Sequence, residues 1–232
     1  MKVVCMTHQG LVRINNEDSV AVHPEGQWLV LADGMGGLLA GEEASRVAVD
    51  TACQMLEQNA DAAPADIVLA AHEAVYTRAK KKNYVGKMGT TLVVWLWNDG
   101  APTFGHIGDS RVYGRTNGEL QQLSHDHTLA QRMIDEGSFP KEREREAPNR
   151  NVLTQALGMP GNLNPDTGTS NVSGRVLLCS DGLSDLVEDN RIAELVAVED
   201  LEEAANSLVK AALDKGGRDN VSVALVDLDS AS

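Results

Sequence analysis

Trp28-Leu29-Val30-Leu31-Ala32-Asp33-Gly34-Met35-Gly36-Gly37 is the stretch whose reading decides the fold. An apolar run of that length, bounded by glycine, reads as a buried strand. The glycines stop the strand and let backbone approach closely. Asp33 then stands at the rim of a sheet, with the Gly34 carbonyl beside it, and two oxygens fixed side by side suit a hard divalent cation. Asp-Gly is also an ordinary turn dipeptide, so the stretch alone leaves both readings open.

The same device recurs. Arg175-Val176-Leu177-Leu178-Cys179-Ser180 runs into Asp181-Gly182, and Thr103-Phe104-Gly105-His106-Ile107-Gly108 runs into Asp109-Ser110-Arg111. The order reverses at Gly216-Gly217-Arg218-Asp219-Asn220, which precedes the strand-like Val221–Val226. In antiparallel pairing the end of one strand lies beside the start of its neighbour, so Asp33, Asp181 and Asp219 are expected to crowd one rim. Crowded carboxylates keep their charge only beside compensating cations, and no run of lysine lies next to them in sequence. The expectation is bound metal.

Composition bounds the alternatives. A chain of 232 residues can bury a substantial core, and it reads as one domain spanning 1–232. Acidic residues outnumber basic ones 34 to 20, for a formal charge of −14. Such a surface repels nucleic acid and anionic membrane. No apolar run reaches the length of a membrane span and no signal-peptide pattern opens the chain, so a cytoplasmic protein is expected. Cys5, Cys53 and Cys179 are odd in number and far apart, which argues against a disulfide framework or a zinc knuckle.

Along the chain, Thr7–Ser19 is turn-rich and sets Arg13 six residues or fewer from Glu17 and Asp18. An arginine fork matches phosphate oxygens, and adjacent acids reach a metal through water; a solvated loop with a local ion pair is the plainer reading. Helices are expected from Gly41 to about Glu57, with Ala44, Val47, Ala48, Thr51, Met55 and Leu56 as the apolar face, and from Pro64 to Lys80. Gly89–Trp97 reads as a strand. Asn98-Asp99-Gly100 and Asn117-Gly118 read as hairpin turns. Strands joined by tight turns mean an antiparallel sheet, and helices before and after make the class α+β. His125 and His127 read as a capping loop before a helix rather than zinc ligands, since no further ligand lies near in sequence. The charged segment 137–151 reads as an exposed, mobile flap. A stripe of Leu201, Ala204, Ala205, Leu208, Val209 and Ala212 marks the last long helix.

Taken together the motifs carry a resemblance. Gly10-x-x-Arg13-x-x-Asn16-Glu17-Asp18, Asp33-Gly34-Met35-Gly36-Gly37 with Gly41-Glu42, Gly89-Thr90-Thr91, Gly108-Asp109-Ser110-Arg111, Ser180-Asp181-Gly182-Leu183 and Gly217-x-Asp219-Asn220 fall in the order seen in the protein phosphatase 2C family. The chain resembles a bacterial member of these metal-dependent serine/threonine phosphatases from about Thr7 to Val226. Six ordered motifs are specific where any one is weak.

The resemblance implies a four-layer αββα fold, a central antiparallel β-sandwich with helices on both sides. It implies two Mn²⁺ or Mg²⁺ ions. By similarity Asp33 bridges them, the Gly34 carbonyl binds one, and Asp181 and Asp219 hold the other. Glu17 and Asp18 bind or orient water at the first ion, Asp109 with Asp181 takes a third, and Arg13 clamps the phosphate while Asn220 supports Asp219. Hydrolysis of phosphoserine and phosphothreonine by direct attack of a water shared between the ions is implied, with no phosphoenzyme; no Cys-x5-Arg motif is present. Phosphoproteins as substrates and a cognate serine/threonine kinase as partner are implied by the family alone, and a monomer is expected. Three positions depart from it: His8 where Asp is common, Leu38 where many bacterial relatives carry His, and Met35 where the animal enzymes carry a proposed acid. A catalytically inactive binding module of the same fold, and a phosphodiesterase or nuclease, are the alternatives.

Overall fold

The computed structural model describes residues 1–35, 39–98, 101–169 and 172–229. Gly36, Gly37 and Leu38, and the Asp99-Gly100 turn expected above, lie outside the described residues.

Two antiparallel sheets form the centre. The first holds, in spatial order, β1 (Lys2–His8), β11 (Val221–Asp227), β10 (Arg175–Cys179), β7 (Arg111–Thr116) and β8 (Glu119–Gln122). The second holds β2 (Asp18–Val22), β3 (Trp28–Met35), β5 (Leu92–Asn98), β6 (Ala101–Ile107) and β9 (Asp166–Thr169), with the short β4 (Gly89–Thr90) against β3. The β7–β8 hairpin turns at Asn117 (φ 53°) and Gly118 (φ 88°), the left-handed pair that a two-residue turn needs. On the second sheet lie α1 (Leu39–Gln58) and α2 (Pro64–Lys82); on the first lie α4 (Asp181–Ser184), α5 (Asp189–Val196) and α6 (Leu201–Asp214). A further helix, α3 (Leu129–Asp135), precedes a 3₁₀ turn at Lys141–Glu146.

The alternation of side chains along each strand explains the four layers. On β3, Leu29 and Leu31 point between the sheets, and Val30 and Ala32 point to the helices. On β5, Val93 and Trp95 face inward while Leu92, Val94 and Leu96 meet α1 and α2. On β10 and β11, Val176, Leu178, Ala224 and Val226 pack between the sheets, while Leu177, Val223 and Leu225 meet α5 and α6. A strand covered on both faces must be apolar throughout, so it reads as an unbroken run rather than an alternating one.

The helices begin and end where their sequence dictates. Pro64 opens α2 and Asn83 closes it in the left-handed region (φ 59°), the cap N–H groups reaching the Ala79 and Lys80 carbonyls, with Lys80, Lys81 and Lys82 in the last turn at the negative end of the helix dipole. Asp200 caps α6 by accepting from the Glu203 N–H at 2.8 Å. On α1 the buried stripe includes Val49 and Ala52, which the expected face left out, and leaves Val47 and Met55 at its edge. The expected strand 89–97 is interrupted at Thr91. Its backbone leaves the ladder to donate to the Asp33 carbonyl (2.9 Å), and its Oγ1 accepts from the Asp33 N–H (2.9 Å).

Candidate active site

Strand direction gathers the acids. Asp18 opens β2 directly opposite Asp33 near the end of β3. Asp181 follows β10, Asp219 precedes β11, and these two strands are antiparallel neighbours. Asp109 follows β6. A cleft of ≈300 Å³ results, lined by Arg13, Glu17, Asp33, Gly34, Met35, Thr91, Asp109, Asn151, Leu153, Asp181, Asp219 and Asn220. Every expected site residue except Asp18 lines it. Asp18 sits behind, buried, accepting from Ser180 Oγ at 2.8 Å through Oδ2.

The main chain at each position is fixed. The Asp33 carbonyl accepts from the Thr91 N–H (2.9 Å) and from Thr90 Oγ1 (2.8 Å), and Thr91 Oγ1 pairs with Ser110 Oγ at 2.7 Å. Gly34 N–H donates to the Glu17 carbonyl at 3.1 Å. A Cβ on Gly34 would overlap the Gly41 carbonyl, so only glycine lets the loop approach α1 this closely, and one on Gly41 would push the Glu17 carboxylate from its place. Asn220 joins three segments: its Oδ1 accepts from Glu17 N–H (2.8 Å), and its Nδ2 donates to the carbonyls of Gln9 (2.8 Å) and Asn15 (2.9 Å). Its own N–H donates to Asp219 Oδ1 at 2.9 Å. The support expected for Asp219 therefore extends to the whole 9–17 loop.

The electrostatics describe a site short of positive charge. Burial, then the charges of Asp18, Asp181, Asp109 and Asp219, hold the Asp33 carboxyl well above the usual range. Asp181 is raised for the same reasons, burial first and then Asp109 and Asp185. Burial pushes Asp18 up to about 6 and Asp109 up to about 7, and it raises Glu17 as well. Oδ1 of Asp18 and of Asp181 are buried without a hydrogen-bond partner among the described residues. Orphaned carboxylate oxygens around a cleft are costly unless something positive completes them, and hard divalent cations fit an all-oxygen donor set. One guanidinium offsets the acids from within: Arg13 donates to Asp219 Oδ2 at 2.6 Å, and that bond raises the Arg13 pKa. Half of the Arg13 side chain stays exposed at the mouth.

Sequence reading missed several supporting groups. Thr90, Thr91, Ser110 and Ser180 carry no signal on their own; their hydroxyls matter because of where the rim places them. The segment 137–151 is exposed, as expected, but it is tethered. Arg145 donates to the carbonyls of Ser184 (2.9 Å), Asp185 (2.8 Å) and Val187 (3.0 Å), at the end of the turn of helix that Asp181 begins. Arg150 pairs with Asp185 at 2.8 Å, and Glu144 with Arg111 at 2.8 Å.

His127 has its partners from distant sequence. Gly108 N–H points at its Nδ1 (3.1 Å) and Asp166 Oδ2 lies 3.1 Å from its Nε2, while the fully buried His106 ring lies tilted by 32° with its centroid 4.9 Å away. An Nδ1 that accepts leaves the ring proton on Nε2, aimed at Asp166, so the lone pair a metal needs is already engaged. The group pins Gly108 beside Asp109; the His127 N–H also donates to the Gly108 carbonyl at 2.8 Å. Thr128 caps α3, its Oγ1 accepting from Gln131 N–H at 3.1 Å, as a capping loop requires. His125 instead reaches Asp135 at the surface.

The family model described as Protein phosphatase 2C matches residues 12–221. The chain belongs to the protein phosphatase 2C family. The serine/threonine protein phosphatase PstP of Mycobacterium tuberculosis is 36% identical over 239 residues, 98% of this chain and 45% of that protein. This chain thus spans about half the length of that relative. Protein phosphatase PhpP of Streptococcus pneumoniae is 33% identical, covering 99% of this chain and 98% of its own. A crystal structure of the PstP catalytic domain in complex with two manganese ions superposes with a TM-score of 0.86 at 35% identity, over 97% of this chain and 96% of that one. His8, which departs from the family pattern, accepts from Gly10 N–H through its Nδ1 at 2.9 Å. Met35 lines the cleft and offers no proton. Leu38 lies outside the described residues.

Proposed function

We propose that this phosphatase 2C chain is a protein serine/threonine phosphatase that works with two divalent cations, Mn²⁺ or Mg²⁺, in this cleft. One observation carries the reading: carboxylates brought from separate segments meet at one rim, with buried oxygens that nothing among the described residues satisfies, beside a half-exposed arginine. The donor set supports Asp33 and the Gly34 carbonyl at the centre, Asp181 and Asp219 on one side, and Glu17 and Asp18 on the other. Asp109 with Asp181 supports a third, weaker cation. When bound, such ions yield a nucleophile from water near neutral pH and draw charge from phosphoryl oxygens.

The chain's own groups do the rest. Arg13, reaching over the mouth, takes phosphate oxygens with its fork and orients the monoester. Glu17, held through its backbone by Asn220, keeps an acceptor at the cleft for the attacking water, and Asp18, locked by Ser180 behind it, backs the rim. Thr90 and Thr91 hold Asp33 so that its oxygens need no reorganisation as charge develops. Phosphoproteins are the substrates. A cognate kinase rests on the family likeness, and a cytoplasmic, monomeric, single-domain protein on the sequence expectations above; among the described residues no helix is long and apolar enough to cross a membrane.

The test is Mn²⁺-dependent hydrolysis of p-nitrophenyl phosphate and of phosphothreonine peptides, with Asp33→Asn alongside. Asp33→Asn should lose more than about 100-fold in turnover and bind Mn²⁺ far more weakly by calorimetry. Near-normal turnover in that variant would refute the assignment. No turnover by the parent would point to a binding module, and faster cleavage of nucleic acid than of phosphopeptides to a nuclease.

A further inference from the structure

We propose that Leu11, Val12 and Ile14, with Val152, form an apolar lip that selects phosphoproteins carrying aliphatic residues within about three positions of the phosphoserine or phosphothreonine. This rests on the phosphatase reading above and adds the chemistry of the substrate's flanks. Leu11 and Val12 are each 64% exposed and Ile14 is 79% exposed, whereas the other large hydrophobics exposed among the described residues fall between 41% and 46%. These three sit on either side of Arg13, which lines the cleft. Val152, one of that second group, stands between Asn151 and Leu153, which line the same cleft. Met35 adds a further apolar surface inside.

The exposure is imposed. Leu11 N–H donates to the Gly217 carbonyl at 2.7 Å, Gln9 Nε2 to the Arg13 carbonyl at 2.6 Å, and Asn220 Nδ2 to the Asn15 carbonyl at 2.9 Å. With the Gln9 carbonyl also held by Asn220, a backbone pinned at 9, 11 and 15 keeps these side chains largely at the surface, Leu11 with one side against Gly217. Their place on both sides of the phosphate-binding arginine fixes that partner as the chain next to the phosphorylated residue. An extended peptide advances about 3.3 Å per residue, so a lip four residues long meets side chains two or three positions away. Acidic flanks are disfavoured by the carboxylates of the cleft and by the overall charge of −14.

The experiment uses the full chain with Mn²⁺ and matched phosphothreonine peptides whose flanking positions are Leu/Val, Gln or Lys. The readout is the ratio of kcat/KM between peptides, which cancels any loss of folded enzyme. The parent should prefer the aliphatic peptide over the Gln peptide by about tenfold, and Val12→Ser/Ile14→Ser should bring the ratio within about twofold of unity. A parent ratio near one, a preference for the Lys peptide, or an unchanged ratio in the double variant would overturn the proposal, while p-nitrophenyl phosphate turnover shows that the active site itself stands. A dimer in solution that the double variant dissociates, with the ratio unmoved, would assign the lip to a second copy instead. A parent that hydrolyses neither peptides nor p-nitrophenyl phosphate would overturn both readings.

Discussion

Asn220→Ala should cost this protein far more than one surface amide. The side chain is 5% exposed and makes three hydrogen bonds, accepting from Glu17 N–H at 2.8 Å and donating to Gln9 and Asn15 carbonyls at 2.8 and 2.9 Å. Glu17 is itself buried, so its N–H becomes an orphan at about 1–3 kcal/mol; the two carbonyls lie nearer water and lose only about 0.5–1 kcal/mol each. The sum is about 2–5 kcal/mol. For a chain of this size each kcal/mol moves Tm by about 2–4 °C, so the melt should fall by roughly 4–20 °C. Calorimetric melts in chelator measure this without linkage to cations. Because the freed loop carries Glu17, Mn²⁺ affinity should also drop about tenfold. Asn206→Ala is the control: that amide is exposed and bonds only the Glu202 carbonyl, so its effect should stay within about 0.5 kcal/mol. A Tm loss for Asn220→Ala below about 2 °C with unchanged Mn²⁺ affinity would refute the view that this residue holds the 9–17 loop.

Arg13→Ala should raise KM for phosphopeptides more than it lowers kcat, because the guanidinium acts on ground-state phosphate; equal losses in both would refute that. Asp18 and Asp109, with folded pKa values of about 6 and about 7, keep protons that an unfolded aspartate at 3.8 has shed. Raised carboxyl pKa values give stability that is present below about pH 4 and lost as pH climbs through 6 to 7. Cation-free protein should therefore melt lower at pH 8 than at pH 5.5, while Mn²⁺ binds tighter with rising pH and releases protons measurable by titration in buffers of different ionisation enthalpy. A flat profile would contradict it. Arg175→Met, at the end of β10 away from Asp181, removes a bond to Asp227 (3.0 Å) and to the carbonyls of Val196 (2.8 Å), Val198 and Glu199 (2.6 Å). It should destabilise by about 3 kcal/mol in a denaturant melt, with activity per folded molecule retained.

The rim of acids was legible because its grammar is local. Each apolar run ends at, or begins after, an aspartate, and antiparallel pairing turns that repeated punctuation into convergence. Helix ends were legible for the same reason: Pro64, Lys80–Lys82 and the stripe ending at Ala212 act within a few residues of themselves. What escaped depends on contacts made across the fold. Nothing near His127 in sequence announces His106 or Asp166, because β6 and β9 bring them from 21 positions before and 39 after. Thr91 leaves its strand only because Asp33, 58 residues earlier, claims its hydroxyl. The flap looked free because Arg145 and Arg150 find acceptors at 184–187 that are mostly carbonyls, which every residue has and no sequence pattern marks.

The position of β11 has a consequence for how the chain comes into being. It lies between β1 and β10, and β1 pairs with no other described strand. A ribosome that has delivered everything up to Gly217 has therefore made an orphaned first strand and an incomplete ring of acids. Residues 219–227 then complete the sheet and the rim of acids in one step, and the cleft exists only once β11 has joined β1 to β10.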